Sequence, residues 1–174
     1  PSWVTYLPIL AALLPIFSFP GLSDDVYRFL WDGHLVLDGV DPFHTVPSKL
    51  ISQLPVEPYA KLYARLNSPH YHSVYPPVSQ LVFALAAAAE NVAWNGVLIM
   101  KLAYATIHLL ALGMFYRSPL HQRYPIFYLT YGLNPLVIVE GIGNLHAEVM
   151  MVACLIISWV MYQQNKTRWS AVFF

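Results

Sequence analysis

Two neighbouring carboxylates, Asp24 and Asp25, open the stretch SDDVYRFLWDG (residues 23–33). They are the first residues whose type and setting suit proton transfer. An aspartate beside an apolar wall is a candidate general base, because burial moves its proton affinity toward working pH. The pair suits a second task as well. With Ser23 as N-cap, two acids in a first helical turn complement the helix dipole. The two tasks are compatible.

Asp25, Arg28 and Asp32 recur at i, i+3 and i+7 and so share one helical stripe. Val26, Tyr27, Leu30, Trp31 and Leu37 fall largely on the opposite side. The spacing predicts an amphipathic helix with a charged face, placed just after an apolar segment. Arg28 suits either of two roles, an ion-pair partner for Asp24, Asp25 or Asp32, or a guanidinium fork for a phosphate oxygen. Consecutive helical residues point about 100° apart, so only one aspartate of the pair can face a given hydroxyl. Arg28 and Asp32 give Asp25 more local ion-pair partners, which leaves Asp24 favoured as the base.

A second constellation lies in NPLVIVEGIGNLHAEVMM (134–151), with Asn134, Glu140, Asn144, His146 and Glu148 around a Gly-x-Gly turn. Apolar segments flank it, and lipid offers polar groups no partners, so this density points to function. A plain inter-helix turn would not need acids on both flanks. His146 and Glu148 are not at helical metal spacing, and no His-Glu-x-x-His or paired-cysteine pattern occurs. Metal binding is weakly signalled, and no metal ligand set or cofactor is named, although a divalent metal stays open.

Other polar residues carry plainer readings. Tyr75-Pro76-Pro77 fixes an extended lead-in to a helix, with proline tolerated in the first turn. His70-Tyr71-His72 reads as solvated loop. Lys101, Tyr104 and His108 share one face of an apolar segment and should point into a bundle or snorkel. Asn165-Lys166-Thr167 fits a glycosylation acceptor pattern, a weak signal beside a membrane segment. No phosphate-binding glycine loop, dinucleotide fingerprint or nucleophile elbow is present. An activated donor would therefore be lipid-borne.

The elements that must position these groups are apolar. Of 174 residues, 57% are apolar and only 10% charged, against about 25% charged in soluble domains, which points to a membrane protein. Net charge is zero, so there is no nucleic-acid footprint. The single cysteine, Cys154, cannot form an internal disulfide. Apolar segments run at about 3–19, 76–94, 97–116, 124–140 and 148–162, and a sixth begins at Trp169. A spanning helix needs about 20 apolar residues, which the third segment meets comfortably. The polar region 20–75 is broken by proline at 42, 47, 55, 58 and 69 and holds a second short helix around 57–67. The expected fold is all-α, a polytopic membrane helix bundle, with residues 1–174 forming one partial transmembrane domain that carries a large extramembrane loop. The start at Pro1 and the stop in AVFF read as a piece of something longer.

Positive-inside counting puts Arg117, His121, Arg123, Lys166 and Arg168 on the cytoplasmic side and GIGNLHAE outside. Segment 76–94 is poor in large apolar residues. Read as a full span, it leaves the 20–75 loop inside; read as re-entrant or broken, the favoured alternative, it places that loop outside too, so Asp24, Asp25 and His146 are expected on the same side.

The order SDDVYRFLWDG, DGVDPF, VYPPVSQLVFAL and NPLVIVEGIGNLHAEVMM resembles the amino-terminal half of an integral-membrane glycosyltransferase of the GT-C class. It is most similar to the bacterial polyprenyl-phosphate-mannose-dependent mannosyltransferases. The resemblance covers about residues 20–160 and rests on the order and spacing of its motifs. It implies a multi-pass protein of the bacterial cytoplasmic membrane with an extracytoplasmic active site. It also implies a polyprenyl-phosphate sugar donor, a glycan or lipid-linked acceptor, and Asp24 or Asp25 as the base that activates the acceptor hydroxyl. Arg28 becomes a candidate for the donor phosphate, and Asp32, Tyr75, Asn144, His146 and Glu148 for substrate contacts. Many relatives follow the histidine of the Gly-Asn-x-His element with Asn-Asp or Asp, whereas this chain has Ala147-Glu148. The rival class is a transporter or flippase with a polar path through Asp24, Asp25, Lys101 and His108.

Overall fold

The structure is a computed structural model that describes residues 3–89 and 93–174. All regular elements among them are helical. The chain divides into two compact units, one built from residues up to Ser18 with Lys101–Phe174, the other from Phe19–Met100.

In the Phe19–Met100 unit, α2 (Asp25–Leu37) packs along α5 (Pro77–Ala88). Short helices α3 (Pro47–Leu50) and α4 (Tyr59–Tyr63) punctuate the loop between them. Prolines set where these helices begin. Pro47 opens α3, and Pro76 is extended (φ −57°, ψ 157°) just before Pro77 starts α5, as the lead-in predicted. Gly33 permits the close approach of α2 to α5: a Cβ there would meet the Phe83 carbonyl oxygen at 2.2 Å. Phe29 stacks on Phe83 with centroids 4.5 Å apart, and Tyr75 meets Phe29 edge-on at 4.9 Å. Trp31 packs edge-on against Tyr59.

The expected amphipathic helix is present, but beyond Asp25 its charged stripe does not face water. Arg28 is 2% exposed and Asp32 0%, while Leu37 is 50% exposed. Helical spacing shows which residues share a stripe. It does not show that residues 68–80 fold back over that stripe and bury it. The segment expected at 76–94 yields a helix of 12 residues, about 18 Å long and too short to span a bilayer. Residues 90–92 of that segment lie outside the described residues.

In the other unit, α1 (Trp3–Leu13) tightens into a 3₁₀ turn at Leu14–Phe17, where Pro15 removes a backbone donor. The long helix α6 (Ala93–Tyr116) contributes its residues from Lys101 onward to this unit. After the short α7 (Pro119–Arg123), the segment expected at 124–140 is divided. It forms α8 (Pro125–Gly132) and a π-helical stretch, Leu136–Gly143, bent by 44°. Pro135 explains the break, since it supplies no N–H and disfavours helix at Asn134. The Asn134 side chain accepts the Leu136 N–H at 2.9 Å across it. α9 (Glu148–Gln163) and α10 (Thr167–Phe173) pair next, joined by a buried Ser158 hydroxyl donating to the Ser170 carbonyl at 2.9 Å.

Asn95–Tyr116 is one helix long and apolar enough to cross a membrane among the described residues, and the bent pair makes a second if it is one span. α1 with its 3₁₀ turn, α5 and α9 are apolar but shorter.

Candidate functional site

The two aspartates begin α2. Asp24 occupies the N-cap position, where its side chain makes no capping hydrogen bond, and it is exposed. This corrects the expected cap. Ser23 lies one residue earlier, and its hydroxyl accepts the Asp25 N–H at 3.2 Å. Asp25 is half-buried, and its Oδ1 accepts a hydrogen bond from the Asn67 side-chain amide at 2.8 Å. That bond spans 42 residues of chain. Adjacent carboxylates thus have unlike surroundings, one open to solvent and one held.

Arg28 turns inward from the stripe. Its Nε donates to Asp32 Oδ1 at 2.9 Å, and its Nη1 donates to the carbonyls of Ser68 at 3.1 Å and Tyr71 at 3.0 Å. The ion-pair partner among the three aspartates is Asp32. Nη2 is buried without a protein partner. The other Asp32 oxygen accepts from the Ser73 hydroxyl at 2.6 Å and the Gln80 amide at 3.3 Å, and Gln80 also donates to Ser73 at 2.8 Å. Burial, larger than the lowering by Arg28, Ser73 and Gln80, raises the Asp32 carboxyl above its ordinary value. Asp32 is therefore enclosed by protein groups rather than presented at a surface.

Ser73, Gln80, Ser68 and Asn67 escaped the sequence reading. Gln80 carried a usable signal, a strong amide inside an otherwise apolar run, where a buried partner is required. Asn67 carried none, because loop residues that reach across the fold leave no local pattern. Tyr75 is half-buried, with its ring against Phe29 and Phe83.

The second constellation forms its own cleft, of about 350 Å³, in the unit that holds Lys101–Phe174. Asn134, Glu140, His146 and Glu148 line it beside Tyr131, Val137 and Val149. The π-helical turns widen the backbone here, a feature frequent at functional sites. Leu145 adopts φ 65°, a left-handed conformation uncommon outside glycine. Asn144 is buried beneath the cleft, and its amide donates to the Val139 carbonyl at 3.2 Å and Glu140 Oε2 at 3.3 Å. Asn144 therefore shapes the turn, while Glu140, His146 and Glu148 are the groups that a ligand in the cleft would meet. No three His, Cys, Asp or Glu side chains converge to hold a metal among the described residues.

Lys101, Tyr104 and His108 all point inward, each 0% exposed. The Lys101 ammonium is clamped by the Pro15 carbonyl at 2.7 Å, the Ser18 carbonyl at 2.5 Å and the Ser18 hydroxyl at 3.0 Å. His108 Nδ1 bonds the Tyr131 hydroxyl at 3.2 Å.

A family model, that of the alpha-(1->6)-mannopyranosyltransferase N-terminal domain, matches residues 3–174. The chain belongs to that family. As an alpha-(1->6)-mannopyranosyltransferase N-terminal domain it is a mannosyltransferase-family domain, and so a glycosyltransferase by class. The resemblance drawn from the ordered motifs is confirmed at that level. The SDDVYRFLWDG stretch and the Asn-Pro through Glu148 stretch both lie inside the matched residues. Comparison with curated proteins and with solved structures gave no match.

Proposed function

We propose that this mannosyltransferase domain transfers a mannosyl group from a polyprenyl phosphate to a hydroxyl acceptor at the extracytoplasmic face of a membrane. The observation that carries the reading is a carboxylate pair on the solvent-facing first turn of α2, in a chain of this family. The alpha-(1->6) linkage in the family's description supports a C6 hydroxyl of an acceptor sugar as the attacking group. In the reaction its oxygen bonds to the anomeric carbon of the donor. The bond from that carbon to the phosphate oxygen breaks, its electron pair leaves with the phosphate, and the hydroxyl proton passes to an aspartate carboxylate. General-base help of this kind contributes roughly 10²–10⁴-fold.

A multi-pass setting is supported by the apolar outer faces of the unit that holds Lys101–Phe174. Leu102, Leu110, Ile126, Leu136, Leu155 and Val172 are exposed there, more than a soluble surface would carry in such runs. The cleft of Glu140, His146 and Glu148 suits sugar hydroxyls, which carboxylates and imidazole both bind. Arg28 keeps one nitrogen without a protein partner, Nη2, but that nitrogen is buried, so Arg28 is read as the anchor of the loop rather than as a ligand of the donor phosphate. The transport reading gains nothing from Lys101 and His108, whose hydrogen bonds tie them to protein oxygens.

The test is sugar transfer by purified full-length protein from a polyprenyl-phosphate mannose. Product carrying a new linkage at the acceptor C6 supports the reading, and transfer only from a soluble nucleotide sugar overturns it. The membrane face is read separately, with a single cysteine replacing the exposed Asp41 in a Cys154→Ala background. Labelling of intact cells by an impermeant thiol reagent is the expected result.

A further inference from the structure

Asn67 is the one residue whose side chain bonds to the carboxylate of either aspartate among the described residues. Its amide reaches Asp25 Oδ1 at 2.8 Å, while Asp25 Oδ2 accepts no hydrogen bond from the described protein. The loop that delivers Asn67 is fixed from below. Arg28 Nη1 grips the carbonyls of Ser68 and Tyr71, and Asp32 takes the Ser73 hydroxyl. The buried ion pair therefore anchors the residues immediately after Asn67, one turn of helix beyond the carboxylate that Asn67 holds.

We infer that Asn67 is a positioning residue for the transfer reaction: it holds one oxygen of Asp25 and leaves the other aimed at the acceptor hydroxyl. The inference rests on the reading that one of the two aspartates is the base, and it assigns that role to Asp25. A base must be held in a productive orientation to gain from proximity. Asp25 has a partner that does this, and Asp24 has none. Helical spacing alone favours Asp24, since Arg28 and Asp32 share a stripe with Asp25. In the fold those two residues bond to each other instead, and Asp25 is left to Asn67.

The two substitutions at Asn67 differ in what they remove. Asn67→Ala deletes the donor. Asn67→Asp keeps the shape and puts a like charge against Asp25. Neither position nor size gives Asn67 a part in the core, since its bond to Asp25 is exposed. Both variants should melt near the wild-type temperature.

The experiment uses the full-length enzyme with a polyprenyl-phosphate mannose donor, and reads kcat, acceptor KM and melting temperature. Asn67→Ala is expected to lower kcat about tenfold with little change in acceptor KM, and Asn67→Asp to lower it at least as far. The deciding readout is coupling. Added to Asp25→Asn, Asn67→Ala should cost nothing further, and added to Asp24→Asn it should cost its full tenfold. A merely structural Asn67 would lower the rate equally in both backgrounds, and that overturns the inference. So does an Asn67→Ala variant with unchanged kcat, or a fully active Asp25→Asn beside an inactive Asp24→Asn. Full activity in both aspartate variants would instead remove the general-base reading itself, whatever Asn67 does.

Discussion

Asp25 and Asp32 are the same residue type, seven positions apart on one helix, yet the fold treats them oppositely. Asp25 stands half-buried at the first turn with one protein bond to its side chain, and Asp32 is fully enclosed with three donors around it. The difference lies in what packs over each. Residues 68–80 close over the middle of α2 and stop short of its start, so the middle of the helix becomes scaffold and its beginning stays reachable. A charge in a motif is thus no sign of contact with substrate. In SDDVYRFLWDG the chemistry sits at one end, and the rest of the motif builds the platform for it.

The sharpest way to break that contrast is to exchange activity for folding. Asp25→Asn should lower transfer by roughly 10²–10⁴-fold with melting unchanged, as expected for loss of a general base. Arg28→Ala should do the reverse in kind, costing about 3–5 kcal/mol of stability because Asp32 is left buried without its cation. Activity per folded molecule, measured beside detergent-solubilised melting, separates the two effects. If Arg28→Ala melts normally and fails only in donor KM, the middle of α2 belongs to the site and the contrast collapses.

A substitution with no charge tests the platform itself. Gly33→Ala forces a methyl group against the Phe83 carbonyl, and overpacking of this kind costs about 1–3 kcal/mol. Reduced melting with kcat kept in the folded fraction is the expected outcome.

The smallest effect is a pH dependence. The Asp32 carboxyl lies above its ordinary value of 3.8 because of burial. The folded state then holds that proton more tightly than the unfolded chain. This group favours folding fully below the ordinary value, and the contribution is lost as pH rises through the raised one. Relative to Asp32→Asn, the wild type should therefore gain melting temperature as pH falls from 7 toward 4. A gain in the opposite direction would mean that the pull of Arg28 outweighs burial.

Much of this is legible in the sequence itself. The helix after Ser23, the third apolar segment and the proline lead-in at 76–77 follow from patterns confined to a few neighbouring residues. The family followed from four short motifs in order. What escaped were relations between distant residues. Periodicity put Asp25, Arg28 and Asp32 on one stripe, but nothing local says that Ser68, Tyr71, Ser73 and Gln80 will cover two of the three. The break at Asn134-Pro135 was visible as a dipeptide, whereas its consequence, a π-helical turn bent from α8, depends on how α9 packs beside it. Asn67 was invisible for the same reason, since its partner lies 42 residues away.

The clamp on Lys101 has a consequence for synthesis. The carbonyls of Pro15 and Ser18, which end the first apolar segment, find their cation 83 to 86 residues later in the chain. Ribosomes emit about 5–20 residues per second, so the segment waits roughly 4 to 17 s before its fastening exists. During that interval a short, proline-bearing segment has only its own hydrophobicity to hold it in place. The order of emergence makes α6 the element that completes what the first segment begins.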